Sequence, residues 1–134
     1  MATIRDAKLE ISRDHEKKTA RPVVTCKVYF SPFELCLMKS CRESKMFKLK
    51  CQLWGADSPD PDDYLYTYST FYYFPDPTPT SPENRKFDVT VGEGLLDEDG
   101  WPRPKDEIYG KLILYNLFSG AVSTKNTNQV HQYF

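Results

Sequence analysis

The sequence predicts an all-β protein, a single antiparallel β-sandwich of about seven or eight strands, immunoglobulin-like or jelly-roll-like, built from residues 1–134 as one domain. Three observations point there. Short runs of alternating apolar and polar residues recur along the chain, separated by proline-, glycine- and aspartate-rich stretches. Nine Tyr and eight Phe supply the flat side chains that pack well on a pleated surface. No long amphipathic helix alternates with the strands, as a parallel α/β sheet would require. The 134-residue length suits one core. With 40% hydrophobic and 28% charged residues and a net charge of -1, the profile is that of an ordinary globular chain.

In order, Ala7, Leu9 and Ile11 alternate with Lys8 and Glu10, which predicts a half-buried first strand. The polar run Arg13 to Arg21 ends it. Val24, Cys26, Val28 and Phe30 give a second strand with an apolar inner face. Ser31-Pro32-Phe33-Glu34 then has the form of a helix start, with Ser at the cap, Pro at the first position and Glu at the third. A helix to about Lys39 would put Phe33, Cys36 and Leu37 on one side; as a strand, Phe33, Leu35 and Leu37 would alternate with Glu34, Cys36 and Met38. In an otherwise all-β chain the strand is slightly preferred.

Phe47, Leu49, Cys51 and Leu53 alternate with Lys48, Lys50 and Gln52, the clearest period-two signal in the chain, closed by Trp54-Gly55. The loop ADSPDPDD follows. Tyr64 to Phe74 reads as a strand with aromatics on both faces, and Pro75 to Pro82 as an extended connection. Phe87, Val89 and Val91 make a further strand before a second acidic loop. Asp106 to Leu117 is the longest proline-free run of strand-forming residues, with Ile108, Leu112 and Leu114 on one face and Tyr109, Ile113 and Tyr115 on the other, hence a central strand. The polar segment Ala121 to Phe134 suits a sheet edge.

Met1 leads straight into ATIRDAKLEIS, without a charged region followed by an apolar one, so no cleaved secretory leader is expected, and no apolar run is long enough to span a bilayer. A cytoplasmic location is therefore expected, with Cys26, Cys36, Cys41 and Cys51 as reduced thiols. The cysteine spacings do not form a zinc framework, and Cys26 and Cys51, with Trp54 after them, do not reproduce the immunoglobulin Cys and Trp placement. His15 and His131 are the only histidines, which weakens any Cys–His nucleophile. Gly92-Glu93-Gly94 lacks the residues of a phosphate-cradling loop. No catalytic motif emerges, and a non-enzymatic protein is expected.

Three surface features remain. Strands running up and down would bring the two acidic loops to one pole, gathering Asp57, Asp60, Asp62, Asp63, Asp97, Glu98 and Asp99 as a candidate Ca²⁺ site, since this hard cation takes six to eight oxygen ligands. The arrangement is similar to the general way C2-type sandwiches hold calcium, although no C2 motif is present, and turn solvation is the simpler reading. Lys39, Arg42, Lys45, Lys48 and Lys50 form a basic cluster. Without an aromatic motif interleaved in sequence, it argues weakly for nucleic acid. Tyr64, Tyr66, Tyr68 and Tyr72 stand at alternate positions and predict a phenolic face, opposite Leu65, Phe71 and Tyr73. Such a face suits a protein partner or self-association more than carbohydrate. The sequence thus predicts an interaction module, with a calcium-dependent binding domain and a structural subunit of a larger assembly as alternatives.

Overall fold

The period-two runs become two packed antiparallel sheets, with 61% of residues in strands and 11% in helix. The computed structural model describes residues 1–40, 45–56, 61–96 and 106–132, with the side chain of residue 106 excluded. One sheet holds β1 (Thr3–Asp14), β2 (Thr19–Tyr29), β6 (Glu83–Asp88) and the two-residue β7 (Val91–Gly92), in the order β1-β2-β6 with β7 also on β2. The other holds β3 (Phe47–Gly55), β4 (Asp63–Thr67), β5 (Phe71–Tyr73), β8 (Asp106–Asn116) and β9 (Val122–Gln132). Its order is β4-β3-β8-β9, with β5 also on β3.

Side chains of both inner faces fill the space between the sheets. Val24 and Val28 come from β2, Phe47, Leu49, Cys51 and Leu53 from β3, and Ile108, Leu112 and Leu114 from β8, all essentially inaccessible to water. Each full burial of this kind contributes about 1.5–3 kcal/mol relative to exposure. β8 is central, flanked by β3 and β9, and β9 is an edge, as the sequence predicts.

The first strand carries more than its sequence pattern suggests. Arg5 pairs with Lys27 and Lys8 with Thr25, so Asp6 and Ala7 together oppose Cys26 in a β-bulge, with Asp6 at φ 52. The extra residue shifts the inward parity. Ala2 and Ile4 are buried before the bulge and Leu9 after it, so residues on both sides of the bulge face the core.

Residues 32–39 are a helix, not the strand that was slightly preferred. α1 (Pro32–Ser40) begins with a reciprocal pair of bonds. The Glu34 backbone N–H donates to Ser31 Oγ at 3.2 Å, and the Ser31 N–H donates to Glu34 Oε1 at 2.8 Å. This capping box satisfies amides that a helix start otherwise leaves unpaired. The inward side also differs: Glu34 and Met38 are buried while Phe33 and Cys36 are exposed. Glu34 turns inward because it also accepts the Ala2 N–H at 3.0 Å, tying α1 to the start of β1.

The two flanks of the sandwich differ. At one, β1 lies against β9, and the Asn128 side chain completes the backbone of Leu9, accepting its N–H at 2.9 Å and donating to its carbonyl at 3.2 Å. At the other, β6 and the β4/β5 edge pair with only one neighbour each among the described residues. A cleft of about 320 Å³ lies between them, lined by Tyr66, Tyr68, Phe71, Arg85 and Phe87 among others.

Candidate interaction face

Strand pairing assembles a surface that no single stretch of sequence contains. Directly paired residues share a face, and the residues of β3 that alternate with its buried set, Lys48, Lys50, Gln52 and Trp54, all point outward. Lys48 pairs with Tyr72 on one side and Tyr115 on the other. Lys50 pairs with Ile113, Gln52 with Thr67 and Lys111, and Trp54 with Tyr64 and Tyr109. The outer face of the five-stranded sheet therefore gathers lysines from β3 and β8 between aromatic rows at its two ends, Tyr72 and Tyr115 at one and Tyr64, Trp54 and Tyr109 at the other.

The rings hold the cations in place. Lys48 Nζ stands 4.4 Å from the centre of the Tyr115 ring, Lys45 Nζ 4.0 Å from that of Tyr72, and Lys111 Nζ 5.5 Å from that of Trp54. An ammonium over a ring face gains about 0.5–1 kcal/mol at exposed sites, and it loses little of its ability to attract an anion. Trp54 is itself fixed, with Nε1 donating to Gln52 Oε1 at 3.1 Å and its ring edge-to-face with Tyr64 at 5.7 Å. Among the described residues, Lys45, Lys48, Lys50 and Lys111 take part in no ion pair.

The outer face of the other sheet is chemically different. It carries the larger hollow, about 440 Å³, lined by Asp6, Lys8, Thr25, Lys27, Asn84 and Lys86 among others. Its cations are already matched: Lys8 to Glu10 at 2.7 Å, Lys27 to Asp6 at 3.8 Å, Lys86 to Asp88 at 3.8 Å, and Arg21 to Asp88 through two nitrogens. Arg21 and Lys86 hold the Asp88 carboxyl below its ordinary range. A large hollow with internally neutralised charge attracts an anion less than a shallower face with unmatched lysines.

The phenolic face expected of Tyr64, Tyr66, Tyr68 and Tyr72 does not form. Leu53 pairs with Tyr66 but Trp54 with Tyr64, so Leu65 is an extra residue and the face changes at this bulge. Tyr64 and Tyr72 stand on the outer face with Trp54 and Lys48. Tyr66 shares the side of the buried Leu53, and Tyr68 is buried, its hydroxyl donating to the Pro22 carbonyl at 2.7 Å. Burial raises the Tyr68 phenol well above its ordinary value. Two of the four tyrosines thus belong to the interaction face, and two to the core and its open flank.

Of the acidic residues expected at one pole, Asp57, Asp60, Asp97, Glu98 and Asp99 lie outside the described residues. Asp62 and Asp63 are exposed at the end where β3 finishes and β8 begins. Asp62 accepts the Tyr109 hydroxyl at 2.6 Å, and burial, with this bond and charge added, pushes the Tyr109 phenol up to about 12. No group of three or more metal-ligating side chains occurs among the described residues. The core thiols are unsuited to nucleophilic work, since burial pushes Cys26 up to about 11 and raises Cys51 as well. His15 sits exposed in the β1–β2 turn, and His131 on β9, with Nδ1 3.5 Å from Glu107.

Lys48, Lys50 and Gln52 were legible as an outward row from alternation alone. Lys111, Trp54 and Tyr115 were missed as members because their contribution depends on which strands are neighbours. The aromatics that appeared not to interleave with the lysines do so across strands rather than along one.

No helix among the described residues is long and apolar enough to cross a membrane. No protein-family model matches the chain, and no curated protein matches it. Among solved structures, the chain is similar to Spo0M, a sporulation control protein from Bacillus subtilis, at 15% sequence identity and a TM-score of 0.44, over 99% of this chain and 49% of that one.

Proposed function

We propose that this protein is a non-enzymatic interaction module that binds an acidic segment of another protein on the outer face of its five-stranded sheet. The observation that carries this reading is the set of four lysines that take part in no ion pair among the described residues: Lys45, Lys48 and Lys111, each over an aromatic ring, and Lys50, outward on β3 beside Ile113. Successive outward residues of a strand stand about 6.6–6.8 Å apart, so Lys48 and Lys50 match the side-chain repeat of an extended acidic peptide. Gln52, Thr67 and Asn126 add neutral donors and acceptors beside them. Rigid aromatic side chains contribute contact area with little loss of rotamer freedom.

Charge argues against self-association through this face. A two-fold symmetric contact would set lysines against lysines, and like charges across an interface are costly. Single-stranded nucleic acid fits less well because its bases need open ring faces for stacking, whereas Tyr72, Tyr115 and Trp54 each have an ammonium over the ring. The raised thiols of Cys26 and Cys51 and the separate, exposed histidines support the non-enzymatic part of the reading.

Trp54 provides the readout. With Trp101→Phe, Trp54 becomes the single indole of the chain, and titration with polyglutamate at low ionic strength should change its emission. Lys48→Glu with Lys111→Glu should weaken that binding by about tenfold or more, and added salt should weaken it in the wild type. An unchanged affinity in the variant, or no emission change at low salt, refutes the reading. Preference for a single-stranded oligonucleotide over polyglutamate would replace the protein partner with nucleic acid.

A further inference from the structure

The exposed apolar side chains are not evenly distributed. Phe33 (69% exposed), Phe74 (55%), Val122 (50%), Phe118 (46%) and Leu117 (44%) all belong to the pole that carries α1 and the β8–β9 hairpin. Short contacts place them around one rim. The Leu117 N–H donates to the Met46 carbonyl, and the Met46 N–H donates to the carbonyl of Tyr73, the residue before Phe74. The Phe118 ring packs edge-on against Phe47 at 5.6 Å. Glu34 of α1 shares a small crevice with Ala121 and Ser123, which brings the Phe33 turn beside Val122.

These residues occupy projecting structures: the first turn of a helix, the tip of a hairpin and the end of an edge strand. A projecting apolar rim fits a deformable apolar medium better than a rigid partner, which would need a groove. Cations accompany it. Lys39 ends α1, and Lys45 and Lys48 stand at the same end of the sheet. Among the described residues, the acids of this pole each have a partner: Glu34 is buried on backbone amides, Asp76 accepts the Thr78 N–H, and Glu83 pairs with Arg85 and Thr80.

We infer that this pole docks onto an anionic membrane surface, with Phe33, Leu117 and Phe118 entering the headgroup boundary and Lys39 and Lys45 facing acidic lipid. Stable attachment to a bilayer surface generally needs two signals, and the apolar rim and its lysines are two. Attachment of this kind is peripheral and requires no spanning segment. It adjoins the proposed acidic-peptide face, sharing Lys45 with it and meeting it where Val122 pairs with Tyr115, whereas Lys111 belongs to that face alone.

The test is sedimentation of the protein with vesicles of phosphatidylcholine alone and of phosphatidylcholine containing about 30% phosphatidylserine. The expected result is binding to the anionic vesicles only, weakened by salt, and reduced about tenfold by Phe33→Ser with Phe118→Ser. Because Phe118 touches the core, Phe33→Ser alone, at the most exposed of these positions, should also weaken binding with little change in the thermal midpoint. Lys111→Glu, remote from this pole, should leave vesicle binding intact while weakening polyglutamate binding. No sedimentation with anionic vesicles overturns the inference, as does equal binding to neutral vesicles or binding indifferent to Phe33→Ser. A dimer that Phe33→Ser converts to a monomer, without vesicle binding, would make the rim a self-association surface instead.

Discussion

Gly110 shows how a single residue fixes the separation of the sheets. A Cβ there would lie 3.0 Å from Thr127 Cγ2 and 3.1 Å from Val24 Cγ2, one a neighbour in its own sheet and the other in the facing sheet. Its N–H also donates to Thr127 Oγ1 at 2.8 Å, beside a bulge where Thr127 and Asn128 together oppose Gly110. Gly110→Ala should therefore destabilise the protein by about 1–3 kcal/mol through overpacking. Adding Thr127→Ser, which removes the methyl but keeps the hydroxyl, should recover part of the loss. Chemical denaturation of the wild type and the two variants checks this, and a neutral Gly110→Ala would show that the sheets can separate at no cost. The sequence marked Gly110 only as part of a strand. Its need for a missing side chain arises from Val24, which is 86 positions away in the chain but adjacent across the sandwich.

Among the elements, α1 was legible in its start and misread in its preference. Ser31, Pro32 and Glu34 carry the local signal of a helix start, and the capping box forms as that signal requires. Expecting a strand gave too much weight to the all-β surroundings. The local bonds decide because a terminal connection between sheets need not join either one. Ser31→Ala should remove the cap and cost about 1 kcal/mol, without loss of fold, measured by urea denaturation. A change below a few tenths would mean that Glu34 alone holds the turn. The tyrosine strand is the opposite case. Its alternation read as one phenolic face, and one unpaired residue, Leu65, turned half of it inward. A bulge leaves no reliable mark in residue types, so register remained invisible until partners were known.

For the whole molecule, the sealed and open flanks and the buried phenols and thiols imply a characteristic response to alkali. Burial raises Cys26 from 9.0 to about 11, and Tyr73 from 10.0 to about 12 with Arg85 partly opposing the shift; Tyr109 rises to about 12 and Tyr68 also rises. A group whose folded value exceeds its unfolded one binds its proton more tightly when folded. It stabilises below the unfolded value and loses that contribution as pH climbs through the folded one. The melting temperature should stay nearly level from about pH 7 to about pH 9, then fall progressively towards about pH 12. Melts followed by circular dichroism test this. A flat profile through about pH 12 would mean that these groups titrate as freely as in the unfolded chain.

Alternation determined the inward set on β2 and β3 and, with the aromatic content and the lack of a long amphipathic helix, the all-β class; the long proline-free run with two apolar faces determined the central position of β8, and polar composition the edge character of β9. Each is a property carried within a few consecutive residues. Only the tertiary structure decided which strands are neighbours and where the bulges fall. Those choices brought Lys111, Trp54 and Tyr115 beside Lys48 and Lys50, turned Tyr66 and Tyr68 away from Tyr64 and Tyr72, and set Gly110 against Val24. The reason is physical: a surface shared by several strands is fixed by backbone pairing and by the contact of one sheet with the other. Both involve residues far apart in sequence, and side-chain type encodes them only jointly.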